Sequence, residues 1–111
     1  MSFQHQSAAS GRWFQFSLID QMANIGSEVI RAINWKNKAN LEYSKLAFDR
    51  ALELFDLTMA DPKNIHRLRE VARAREVWAD YFFGENIYGS SDESWQKYFY
   101  SFNYAARNTG G

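Results

Sequence analysis

The chain contains no cysteine, which excludes a disulfide framework, a thiolate metal site and a cysteine nucleophile. Proline occurs once, at Pro62, and apart from Gly26 the glycines lie near the ends or at joints. Little therefore interrupts a helical pattern between Trp13 and Arg107. Net charge is also lacking: 13 Lys and Arg offset 13 Asp and Glu, so no global basic field draws the chain to nucleic acid. No window holds the roughly 18 apolar residues of a membrane span. The opening "MSFQHQSAASG" has neither the basic start nor the apolar run of a signal peptide, and the expectation is a cytoplasmic protein without membrane contact. Histidine is scarce. His5 sits in the polar leader and His66 on a solvated helix face, so no Ser-His-Asp set forms. There is no Gly-rich phosphate loop either, and neither a cofactor nor catalysis is expected.

What is present is one domain's worth of chain, 111 residues, of which 46% are hydrophobic and 17% aromatic, enough to build a core. At about 100° per residue, Phe14, Leu18, Met22, Ile25, Val29 and Ile33 fall on one arc of a first helix over 13–36. Ala23 and Gly26 lie within that arc, where small side chains let another helix approach closely. A second helix over 39–60 is apolar around most of its circumference and marks a central element or one touching two surfaces. Asp61 and Pro62 open a third, over 62–83, that stops at Gly84. In "SSDE", Ser90 and Glu93 form a capping box for a fourth over 91–107. The fold class is all-α, an antiparallel up-down four-helix bundle over 12–107, with a disordered leader 1–11 and tail 108–111.

Several residues exceed what such a core needs. Arg50, on the wheel between Leu57 and Tyr43, and Arg75, near the middle of an apolar arc, should each be withdrawn from water. Each then needs a carboxylate, such as Glu28, Asp20 or one from another subunit, as an interface or buried ion pair. Tyr100 and Tyr104 point away from the face of Trp95, Phe99 and Phe102 and form a candidate partner surface. Arg67, Arg69 and Arg73 are candidate RNA contacts through phosphate, although Glu70, Glu76 and Asp80 stand at pairing distance along the helix. Glu42, Asp49, Glu53 and Asp56 share one face, but no Glu-x-x-His pair accompanies them, so a solvated stripe rather than a metal site is expected. The dense stretch "VWADYFFGENIYGSSDESWQKYFYSF" reads mainly as core from two helices meeting at a turn. A ligand pocket lined by Trp78, Trp95 and Tyr98 around Arg75 is the alternative.

The segment "EYSKLAFDRALELFDLTMADPKN" resembles the second helix of a tetratricopeptide unit, with Ala47, Phe48 and Ala51 in a small-aromatic-small rhythm, although Pro62 comes late and no second copy follows. It is also similar to the central helix of HEPN-type bundles, small prokaryotic helical domains tied to RNA cleavage or to nucleotidyltransferase partners. That resemblance implies an accessory protein contacting RNA or a toxin or nucleotidyltransferase partner. Active HEPN nucleases carry an Arg followed four to six residues later by His; this chain has no such pair, so nuclease activity is not implied. The leading expectation is a non-catalytic interaction protein, a homo-oligomer or a subunit of a larger complex.

Overall fold

The computed structural model describes residues 11–108; residues 1–10 and 109–111, and with them His5 and most of the expected leader and tail, lie outside the described residues. All regular structure among the described residues is helical: α1 (Leu18–Asn37), α2 (Leu41–Ala60), α3 (Leu68–Phe83) and α4 (Asp92–Asn108). A 3-10 helix, Pro62–Arg67, leads into α3, and 11–13 forms a further helical turn. Gly11 and Asn108, placed in the leader and tail by their composition, are thus helical.

The helix ends correct the sequence reading in three places. The first helix starts at Leu18 rather than Trp13, because the Ser17 hydroxyl accepts from the Asp20 N–H at 3.1 Å and caps it there. The third begins as a 3-10 helix. Asp61 does cap it, accepting from the Lys63 N–H at 3.1 Å, but the Asn64 amide is drawn inward to donate to Gln21 and to the Thr58 carbonyl. The last cap is Ser91, not Ser90. Ser91 Oγ accepts from the Ser94 N–H while Ser94 Oγ accepts from the Ser91 N–H, at 3.1 and 2.9 Å. Ser90 is instead tied into the preceding loop, its N–H donating to the Asn86 side chain at 2.8 Å.

The central element is α1, which packs against α2 on one side and α4 on the other, while α2 also packs on α3. The apolar arc of α1 supplies Met22, Ile25, Val29 and Ile33, all effectively excluded from water. Gly26 lets α4 close in: a Cβ there would stand 2.8 Å from Cβ, Cγ and Cδ1 of Phe99. In an open helix, Gly→Ala gains about 1 kcal/mol of propensity. Here overpacking at a cost of about 1–3 kcal/mol opposes it. Gly26→Ala is therefore expected to lower the urea midpoint, and less so in a Phe99→Leu background, where the ring that blocks the methyl is gone. A raised midpoint in the wild-type background would show that α4 is free to move away.

A buried polar network fastens the segment before α1, at Trp13 and Phe14, to the α2–α3 junction. Trp13 Nε1 donates to Thr58 Oγ1 at 3.0 Å, and Gln21 Nε2 donates both to the Trp13 carbonyl at 3.0 Å and to Asp61 Oδ2 at 2.8 Å. Lys63 Nζ donates to the Phe14 carbonyl at 2.8 Å and pairs with Asp61. Burial alone would raise the Asp61 carboxyl, but hydrogen bonds from Lys63 and Gln21 outweigh it and hold the group below its ordinary 3.8. Asp92 behaves alike: burial pushes upward, while Tyr81, Asn37 and Lys36 together leave it lowered. A carboxyl with a depressed folded pKa contributes stability above its unfolded pKa and loses it as pH falls through the folded one. Denaturation midpoints should therefore be level above about pH 5 and drop below about pH 4. An Asp61→Asn/Asp92→Asn variant should show a shallower acid branch.

Candidate docking surfaces

The outer side of the α1–α2 pair carries a furrow. Positions 24, 28, 31 and 35 of α1 and 43, 46, 50, 54 and 57 of α2 recur at helical spacing and line two adjoining clefts of about 630 and 420 Å³ that share Glu28, Arg31 and Arg50. Before α1, Trp13 and Phe16 line one end. At the other, Trp35 meets Tyr43 edge to face at 5.0 Å, and Lys38 lies 5.3 Å over the Trp35 ring.

Arg50 stands on this furrow and corrects the sequence expectation. Its side chain is 58% exposed and reaches Glu53 of its own helix at 3.4 Å, rather than lying buried against α1. Its wheel neighbour Tyr43 is itself exposed, so an apolar neighbourhood on the wheel did not mean an inward direction. Arg31 pairs with Glu28 in the same way, at 3.2 Å. Arg75 meets neither Glu28 nor Asp20. Its Nε and Nη2 donate to Asp56 Oδ1 and Oδ2 at 2.8 and 3.4 Å, a half-buried tie between α3 and α2. Asp56 was read as part of a solvated stripe, yet it reaches across to α3, while Asp49 and Glu53 of that stripe pair within α2.

A second groove of about 340 Å³ runs between α3 and α4, with Ala74, Val77, Trp95 and Tyr98 along it and Glu70 and Arg73 at the rim. Of the residues predicted to line a pocket, Trp95 and Tyr98 do. Trp78 is fully buried and packed against the rings of Phe48, Phe82 and Trp95, and Arg73 takes the place expected for Arg75. Burial pushes the Tyr98 phenol up to about 12, with Glu70 adding to the rise and Arg67 opposing it, so its hydroxyl stays a donor. Tyr100 and Tyr104 stack with ring centres 6.3 Å apart on the exposed side of α4.

The three candidate RNA contacts are all exposed. Arg67 is held by Glu70 at 2.6 Å, and Arg73 lies 4.0 Å from Glu76 with its guanidinium 5.5 Å from the Tyr88 ring centre. Arg69 alone of the three makes no ion pair among the described residues. The cluster of Tyr81, Asp92 and Lys36 has a catalytic look. Burial and the hydrogen bond to Asp92 raise the Tyr81 phenol despite Lys36, which is the wrong direction for a phenolate base. Among the described residues no three His, Asp or Glu side chains gather as metal ligands, and no helix is long and apolar enough to cross a membrane. Sequence reasoning missed Arg31 and Trp35, which fell outside the apolar arc; the available signal was a Glu-Arg pair three apart with a tryptophan one turn on. No protein-family profile, curated protein or solved structure matches the chain.

Proposed function

We propose that the chain is a non-catalytic interaction protein, an antiparallel up-down four-helix bundle that works in the cytoplasm as a homo-oligomer or as one subunit of a larger complex. The observation that carries this reading is the pairing of large apolar side chains in solvent: Tyr43 and Leu46 on α2 are 49% and 61% exposed, and Tyr100 and Tyr104 on α4 are 64% and 59% exposed. Single exposed apolar residues are ordinary, whereas grouped ones rimmed by polar residues mark interaction surfaces. Hydrogen bonds joining Ser44 to Ala32 and Gln21 to Asp61 favour the antiparallel arrangement for α1 and α2. Light scattering at tens of micromolar tests the reading. The expected mass is a multiple of 13.0 kDa, or that of a stoichiometric complex, reduced by Leu46→Asp or by Tyr100→Asp with Tyr104→Asp. A monomer with no co-purifying chain overturns it.

A second reading rests on the α3–α4 groove, whose volume and aromatic lining fall within the range of small-ligand sites, about 300–1,000 Å³. Under it, quenching of tryptophan fluorescence by a small aromatic compound would be abolished by Ala74→Trp, which fills the groove. An accessory role of HEPN type through Arg67, Arg69 and Arg73 has less behind it, because the exposure of the three arginines is the one observation that favours it.

A further inference from the structure

The α1–α2 furrow has a shape and a charge that together specify an occupant. From Asn24 to Trp35 it follows twelve residues of helix, whose eleven rises of 1.5 Å span roughly 16 Å, about three turns of a helix laid along it. Ala47, Leu54 and Leu57 supply an apolar floor, and Leu46 stands exposed at the lip. The charged residues lining it are Arg12, Arg31, Arg50 and Glu28. Glu53 stands beside Arg50 as a second carboxylate, so in a chain of zero net charge three arginines against two glutamates leave a local excess of one positive charge. Both central arginines reach only carboxylates of their own helices, at 3.2 and 3.4 Å.

Resting on the reading of the chain as an interaction protein, we propose that this furrow seats an amphipathic helix of a partner protein, apolar along one stripe and bearing carboxylates at its middle to meet Arg31 and Arg50. A helix in a groove is anchored by apolar side chains one turn apart, and opposite charge at the centre fixes its register and speeds encounter. A second copy of this chain fits less well. It would bring the same furrow, whose lining arginines outnumber its one lining glutamate, and so would not supply the free carboxylates that Arg31 and Arg50 would meet. Single-stranded nucleic acid fits less well too. Bases need free aromatic faces, whereas Lys38 covers one side of Trp35, the Tyr43 ring meets it edge to face, and the floor is aliphatic.

The probe is a fluorescein-labelled, lactam-stapled peptide of three helical turns, with Leu at i, i+4 and i+7 and two central Glu, beside the same peptide with Lys for Glu. By fluorescence anisotropy the acidic peptide is expected to bind at least roughly tenfold tighter than the basic one. The Arg31→Glu/Arg50→Glu protein should reverse that order, an outcome an unfolded variant cannot produce. Leu46→Asp should weaken both peptides, and Ile65→Ala, on another surface, neither. Equal affinity for the two peptides, or an order unchanged by the double charge reversal, overturns the proposal. So does a short single-stranded RNA that displaces the acidic peptide and is itself lost on the reversal, or a self-association broken by Arg50→Glu. If the chain forms a complex whose mass the double reversal leaves unchanged, the interaction reading stands and the furrow is not its site; a monomer without partner removes the reading itself.

Discussion

A Trp78→Ala variant is expected to lose about 3–5 kcal/mol of folding stability, the range for truncating a fully buried large aromatic. Trp78 has no exposed surface. It touches Phe48 of α2 at 5.6 Å between ring centres, Phe82 of α3 at 5.2 Å and Trp95 of α4 at 5.4 Å. The main partner of α4 is α1, so this tryptophan pair is the aromatic link between α3 and α4, and its loss leaves that seam without its filling. The neighbours cannot easily collapse into the space, because Phe48 is already committed to Phe82 and Phe83 at 4.5 and 4.8 Å. Trp78→Phe should cost much less, about 1–2 kcal/mol. The indole Nε1 of Trp78, like that of Trp95, is buried without a hydrogen-bond partner among the described residues; removing an unsatisfied donor offsets part of the lost volume. Guanidinium midpoints for the two variants, read by circular dichroism, should therefore be well separated. If both lie within error of wild type, Trp78 is not the filled centre of this seam.

How far the fold was legible follows from what a helical wheel measures. The middle of the α1 arc was legible, and Met22, Ile25, Val29 and Ile33 are buried, because an isolated apolar arc has only one way to turn; Phe14 precedes the helix, and Leu18 at its start is only partly buried. On α2 the wheel met its limit. Apolar residues cover most of that helix, so periodicity alone does not separate Phe48 and Phe55, which are buried, from Tyr43 and Leu46, which are not. Arg50 was misjudged for that reason: of its two wheel neighbours Leu57 is buried but Tyr43 is exposed, and Arg50 lies on the outward side of that boundary. Asp56 shows the opposite error, since a stripe of carboxylates reads as solvated until a second helix places an arginine against it. Tyr100 and Tyr104 were legible as outward because the rest of α4 offered a clear inner face. The polar network was not legible at all. Gln21 is not among the residues of the apolar arc, and its partners come from two other segments, Trp13 before α1 and Asp61 and Asn64 at the α2–α3 junction, up to 43 positions away, a convergence that no local pattern encodes.

That network carries the other large effect. Replacing Gln21 with Leu removes the donor to the Trp13 carbonyl and to Asp61 and the acceptor for Asn64, all in a site closed to water. Asn64 keeps the Thr58 carbonyl and Asp61 keeps Lys63, so the loss is partial at each end. An orphaned buried polar group costs about 1–3 kcal/mol, more when charged, and three weakened partners bring the expectation to about 3–5 kcal/mol. The variant should also be cut sooner by trypsin after Arg12, because the Trp13 carbonyl has lost its anchor. Gln21→Glu separates this account from a simple loss of packing. The new carboxyl has nearly the shape of the amide but faces Asp61, and like charge together with burial raises its folded pKa above the unfolded value near 4.3. A group with a raised folded pKa contributes stability below its unfolded pKa and loses it as pH rises through the folded one. The Glu variant should therefore be most damaged at neutral pH and recover toward pH 5, where wild type is level. Midpoints that do not move with pH in that variant would mean the side chain at position 21 is open to water and the network does not hold the junction together.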